Sequence, residues 1–210
     1  MAERSTDSVW VVCNKCGAKT LKGRFCMKCG APLTQYTAAH YHYRFRVDVL
    51  GEKNVGKTSL IEKLVSSSNV SAALGSTTSG GWIIGNAEVV IDFRESDVMH
   101  ASLDDKTDTA VLVFDLGNRR SFLKCLYFLQ KLKTLPNPPP AFLVVNIKDE
   151  TADREVNQQE AVEMVKSYGL TFIEVSTSTG HNIDKLRKEL IRRLLNKKLE
   201  QVRRLLSDGQ

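Results

Sequence analysis

The chain has 210 residues, of which 42% are hydrophobic and 26% charged, with a formal net charge of +6. That length suits one ordinary domain with a small appendage, and the composition excludes a disordered chain and a collagen-like one. No stretch approaches the roughly 18 uncharged apolar residues of a membrane span. The opening MAERSTDSVW lacks an apolar signal core, Ala2 excludes myristoylation, and the end LLSDGQ offers no cysteine for prenylation. The expectation is a cytoplasmic protein without a lipid anchor.

The charge is unevenly spread. Residues 1–32 carry a net +4, residues 182–210 a net +5, and the body between them −3. Basic ends attract nucleic acid, anionic lipid or an acidic protein surface, or are simply solvated.

Four of the five cysteines fall in two C-x-x-C units, Cys13/Cys16 and Cys26/Cys29, each followed by a glycine. Each tight turn aims two thiolates at one point, and two turns complete a tetrahedral Zn²⁺ shell. A disulfide framework fits poorly with an otherwise cytosolic chain. Four thiolates leave no open position for water, so the metal is expected to be structural. Residues 8–32 resemble a short zinc ribbon, which needs its metal to fold. Only Trp10 and Phe25 are there to stack bases, so nucleic acid is not an expected partner. Residues 33–42 read as a linker, and the fifth cysteine, Cys125, as a buried small hydrophobe.

From residue 43 strands and helices alternate. YRFRVDVL (43–50) reads as a central strand and SLIEKLV as a helix. Between them GEKNVGKT, Gly51 to Thr58, is the GxxxxGKT of a phosphate-binding loop in its confirming strand–helix context. The expected phosphate-binding residues are Gly51, Glu52, Lys53, Asn54, Val55, Gly56, Lys57, Thr58 and Ser59. Backbone N–H groups and the helix N-terminus would cradle phosphate, Lys57 would reach the β- and γ-phosphates, and Thr58 would ligate Mg²⁺. Residues 81–93 read as a hairpin turning at Gly85-Asn86. Strands follow at 109–117, 141–149 and 170–180, with helices near 121–134, 156–168 and 182–206. The prediction is a mostly parallel α/β sheet with helices on both faces, ligand at the carboxyl ends of its strands, and a small N-terminal zinc ribbon.

The order of these motifs resembles a small GTPase of the Ras superfamily, of Rab and Ras type, over roughly residues 43–200, within a domain read as 43–206. RVDVLGEKNVGKTSLIEKL is similar to its first strand, P-loop and first helix, and TAVLVFDLGNRRSF to its fourth strand and following helix. LTFIEVSTSTGHNIDKL is similar to its last base-binding loop and final helix. The resemblance implies GTP or GDP with Mg²⁺, a guanine site and protein regulators or effectors. Asn146, Lys148 and Asp149 stand where the family has N-K-x-D, with Ile147 in place of its lysine, and Ser176, Thr177 and Ser178 stand where it has S-A-K. Asp149 would accept from the guanine N1–H and exocyclic amine, a pair that adenine lacks.

The catalytic half departs from the pattern. Aligning D-x-x-G-Q on Asp92-Phe93-Arg94-Glu95-Ser96 gives Asp92 to Mg²⁺, sets Glu95 in the glycine position and Ser96 in that of the water-orienting glutamine, and leaves no catalytic residue assigned. Arg94 is an internal arginine finger or a solvated side chain. Of Thr77 and Thr78 in GSTTSGG, Thr78 is the preferred switch threonine for Mg²⁺, because Thr78-Ser79-Gly80 keeps the family's T-x-G spacing. The expected function is a slow or partner-dependent GTPase switch in protein assembly or trafficking. The alternative is a pseudo-GTPase scaffold in which nucleotide and zinc are structural.

The last segment is a 25-residue amphipathic helix with apolar residues three and four apart from Ile183 to Leu206. Its first half is expected on the sheet. Its second half is left to the ribbon, a partner or the surface of a membrane.

Overall fold

The computed structural model describes residues 10–13, 15–21, 25–31, 33, 41–68, 70–74, 77–85, 87–101, 106–134, 141–146 and 154–207. Two short strands, β1 (Trp10–Val12) and β2 (Lys19–Leu21), pair antiparallel around the cysteines. The rest builds one seven-stranded sheet from β3 (Tyr41–Gly51), β4 (Val70–Leu74), β5 (Thr77–Ile84), β6 (Ala87–Asp97), β7 (Thr109–Phe114), β8 (Ala141–Asn146) and β9 (Thr171–Val175). Its order is β4-β5-β6-β3-β7-β8-β9. The strands from β6 to β9 run parallel to β3, and the β4-β5 and β5-β6 pairs are antiparallel. Helices α1 (Lys57–Val65), α2 (Arg119–Lys133), α3 (Gln158–Tyr168) and α4 (Ile183–Ser207) cover it. This is the mixed α/β architecture expected from the alternation of elements.

Side chains alternate across a strand, so each central strand feeds two cores. Val47, Val49, Val111 and Val113 meet α1 and the first half of α4 on one face, with Leu60, Leu64, Leu186 and Leu190 among the buried partners. Leu50, Leu112 and Phe114 meet α2 and α3 on the other, against Phe122, Cys125, Leu129 and Ala161. Helix α2 starts where Asn118 caps it, its side-chain oxygen accepting from the Ser121 N–H at 3.0 Å. Cys125 is fully buried, and burial pushes its thiol up to about 12, as suits an unreactive core residue.

The β5–β6 hairpin is where the sequence placed it. Ile84 pairs with Ala87, and Gly85 takes φ 62° at the turn. Three local differences matter. β3 begins at Tyr41, inside the expected linker. The strand before the turn begins at Thr77, ahead of the expected start at residue 81, and Gly80 within it admits the Trp82 ring; a Cβ there would lie 2.7 Å from it. β6 runs on to Asp97, taking the whole Asp92–Ser96 string into the sheet.

The opposite face of β3 and β6 carries a buried charge that the hydrophobic pattern did not single out. The Asp48 side chain is fully buried. Arg94 donates to both its oxygens at 2.8 and 2.9 Å, and the Thr107 hydroxyl donates at 2.6 Å. Removing one partner of such a pair leaves the other charge desolvated. Asp48→Ala is expected to cost about 3 kcal/mol in urea denaturation; a loss below about 1 kcal/mol contradicts this reading of the pair.

Candidate functional site

The phosphate loop leaves the carboxyl end of β3, where Gly51 lies so close to β7 that a Cβ would sit 2.4 Å from the Val113 carbonyl oxygen. Asn54 takes φ 66°, Val55 is buried, and Gly56 precedes α1 as its N-cap with φ 91°. The first turn of α1 has no acidic residue of its own and its N-cap makes no side-chain hydrogen bond, so the helix can offer its first N–H groups and positive dipole end to an anion. Lys57 is buried and folds back over the loop, its Nζ donating to the Gly51 and Glu52 carbonyls at 3.1 and 2.9 Å. Glu52 turns away toward α2, accepting from Lys124 at 2.5 Å and lying 3.3 Å from Arg120. Lys53, Thr58 and Ser59 are exposed.

Beside the loop opens a cleft of about 470 Å³, whose polar lining includes Lys53, Lys57, Thr58, Thr78, Glu95 and Asp97. Strand alternation explains this membership. On β6, Val89, Ile91 and Phe93 pack under α1, so Glu95 and Asp97 point to that same face. Gly51 pairs with Asp97 in the β3–β6 register, which sets Asp97 level with the start of the loop. Glu95 accepts from the Thr58 hydroxyl at 2.7 Å and lies 3.8 Å from Lys57 Nζ. Thr78 borders the cleft from β5.

Asp92 is not brought to this site, which corrects its expected role toward Mg²⁺. It pairs with Arg46, five positions up the strand from the Gly51–Asp97 pair, and its parity sends it to the other face. There it accepts from Arg44 at 2.7 and 3.0 Å and from Ser79 at 2.6 Å. Partial burial works against the charged form of Asp92, but these hydrogen bonds hold its carboxyl below the usual range. Arg94, on that face too, is engaged with Asp48 and does not reach the loop as an arginine finger. Ser96 borders the cleft from within the strand. Sequence reasoning missed Asp97; period-two counting along β6 from its buried positions would have found it.

Along the same sheet edge, Asn146 ends β8 and pairs with Val175, the residue before Ser176. Ser176 is buried; its hydroxyl accepts from the Thr179 N–H at 3.2 Å and lies 2.8 Å from the Ser178 hydroxyl. Thr177 sits in the same turn. The loop after Asn146, with Ile147, Lys148 and Asp149, lies outside the described residues. Thr58, Thr78 and Asp97 line the cleft with oxygen donors, the kind a hard cation such as Mg²⁺ takes.

The four N-terminal cysteines converge. Their sulfurs all lie within 4.8 Å of one another, Cys13 to Cys29 at 3.6 Å and Cys16 to Cys26 at 3.7 Å. Those two separations match the edge of about 3.8 Å in a tetrahedron with 2.3 Å metal–sulfur bonds, and exceed the roughly 2.05 Å of a disulfide. The two turns repeat one pattern. Gly17 and Gly30 donate to the Cys13 and Cys26 carbonyls at 2.8 and 2.9 Å, both with φ 66°. The donor chemistry fits a soft, tetrahedral ion.

A mostly parallel α/β sheet with a GxxxxGKT loop at its carboxyl edge defines the class as a P-loop nucleotide-binding fold. The sequence model of the Ras family matches residues 94–196. Human Ras-related protein Rab-27B is 33% identical over 93 residues, covering 43% of this chain and 42% of that protein. Mouse Ras-related protein Rab-26 is 27% identical over 163 residues, 70% of this chain and 62% of the relative. Mouse Ras-related protein Rab-42 is 29% identical over 170 residues, 70% and 75% respectively. The chain thus spans less than two thirds of the length of Rab-27B and Rab-26. With the fold, these matches support a divergent small GTPase of the Ras superfamily.

Proposed function

We propose that the chain is a guanine-nucleotide-binding switch of small-GTPase type, cytoplasmic, working in protein assembly or trafficking through protein regulators or effectors. Residues 43–206 are its nucleotide domain, 33–42 a linker and 8–32 a structural zinc ribbon held by Cys13, Cys16, Cys26 and Cys29. One observation carries the nucleotide reading: the buried Lys57 and the Thr58 hydroxyl at the mouth of a cleft, on the N-terminal turn of α1, directly after the central strand. That arrangement supplies backbone N–H groups, a lysine and a hydroxyl to the phosphates and their Mg²⁺. Asn146 and the Ser176–Ser178 turn, neighbours on the same edge, support guanine as the base, with Asp149 as its selector.

Turnover is expected to be slow. Family hydrolysis needs a group that orients the attacking water. Here the string aligned with that machinery lies within β6, and its Ser96 is too short to replace a glutamine. The same observation favours a second reading, a pseudo-GTPase scaffold in which nucleotide and zinc are both structural.

Titration calorimetry with Mg²⁺ is expected to show GDP or GTP binding at least tenfold more tightly than ADP or ATP. Lys57→Ala should weaken every nucleotide, and Asp149→Asn should weaken guanine and favour xanthine nucleotides, whose ring offers an acceptor in place of the amine. Equal affinity for ATP and GTP contradicts the base assignment. In single-turnover assays, hydrolysis should run no faster than about 10⁻⁴ s⁻¹, the order of the intrinsic Ras rate; a rate a hundredfold higher contradicts the slow switch. Metal analysis should return one zinc per chain, lost in Cys13→Ser without loss of nucleotide binding. Metal-free protein with an ordered ribbon would overturn the zinc assignment.

A further inference from the structure

Glu95 does what no phosphate-site residue is required to do: it places a carboxylate on the groups that receive phosphate and cation. One oxygen accepts from the Thr58 hydroxyl at 2.7 Å and the other lies 3.8 Å from Lys57 Nζ. The carboxylate is directed there by strand parity, since Val89, Ile91 and Phe93 fix the α1 face of β6 in the core beneath it. Nor is the negative charge dispersed. Asp97 and Glu62 also line the cleft, against Lys53 and Lys57.

We propose that Glu95 makes this cleft discriminate between nucleoside diphosphate and triphosphate, in favour of the diphosphate. The inference rests on the nucleotide reading above and names what sets its selectivity. Lys57 and Thr58 meet the β–γ end of a nucleotide. A diphosphate ends at the loop and the helix N-terminus, and leaves the Glu95–Thr58 contact in place. A third phosphate adds charge on the side where Glu95 stands, so Glu95 must be displaced or be held against it at close range. Both cost the triphosphate more than the diphosphate, because repulsion between like charges in a partly enclosed cleft falls off with distance. Glu95 is a specificity-determining residue in this account, and it acts on binding without entering the chemistry.

The test is a pair of direct titrations with GDP and with a non-hydrolysable GTP analogue, on the full chain with Mg²⁺, in wild type, Glu95→Gln and Glu95→Ala. Glutamine keeps the size and can still accept from Thr58; alanine removes the group. The wild type is expected to favour GDP by at least tenfold. Both substitutions should raise affinity for the analogue about tenfold and change GDP affinity less than threefold. GDP binding with an unchanged preference in both variants overturns the role of Glu95 and leaves the nucleotide reading standing. A loss of analogue affinity in Glu95→Gln would make the carboxylate a cation ligand and also overturns the proposal. Binding of neither nucleotide by any of the three proteins overturns the nucleotide reading itself.

Discussion

The parallel pairing of β3 with β6 is the constraint on which the site depends. The phosphate loop is an extension of β3, so whatever stands opposite it is decided by the register of β6 and by which parity of β6 faces α1. Val89, Ile91 and Phe93 settle the parity, because they are apolar and α1 covers them. Glu95 and Asp97 then project beside Lys57 and Thr58, while Asp92 and Arg94 project behind the sheet. A shift of one residue would exchange the two sets, sending three apolar side chains out of their core and an aspartate into it.

Charge on the far face is organised by the same alternation. Asp48 sits in the central strand among residues that otherwise feed the hydrophobic layers, and Arg94 and Thr107 satisfy it. Nearer the start of the strand, Arg44 and Ser79 hold Asp92. Two aspartate–arginine pairs thus cross between β3 and β6, Asp48 with Arg94 and Arg44 with Asp92. Asp48 is buried and Arg44 is largely exposed, so the Asp48–Arg94 pair is the one that penalises wrong pairings, where a desolvated aspartate would be left alone. It ties the phosphate-loop strand to its neighbour in one register.

Much of this was legible in the chain. Long apolar runs at 109–117 and 141–149 read as strands covered on both faces, and helix α4 was legible from its three-and-four spacing. The phosphate loop and the paired C-x-x-C units are local motifs, whose geometry depends on residues a few positions apart. Asp92 stands in a string that resembles a family motif, but the alternation that buries Ile91 and Phe93 turns it to the other face. Strand β4 was not anticipated: VSAAL is short and weakly patterned, and it is set by pairing with β5 rather than by its own sequence. The apolar stripe of α4 beyond Leu195 was legible as amphipathic. In the structure Leu205 and Leu206 are 75% and 71% exposed, with Leu199 and Val202 also open to solvent. The ribbon, expected as one of three possible covers, does not bury them.

The most direct test of the account is the identity of the nucleotide that accompanies the protein from the cell. Freshly purified full-length chain, kept in Mg²⁺, is denatured in acid, and the released nucleotide is separated by anion exchange and quantified against protein. GDP is expected, near one equivalent, with GTP a minor fraction. Adenine nucleotide in its place would contradict the guanine site, and GTP as the main species would contradict a cleft in which Glu95 stands against the third phosphate.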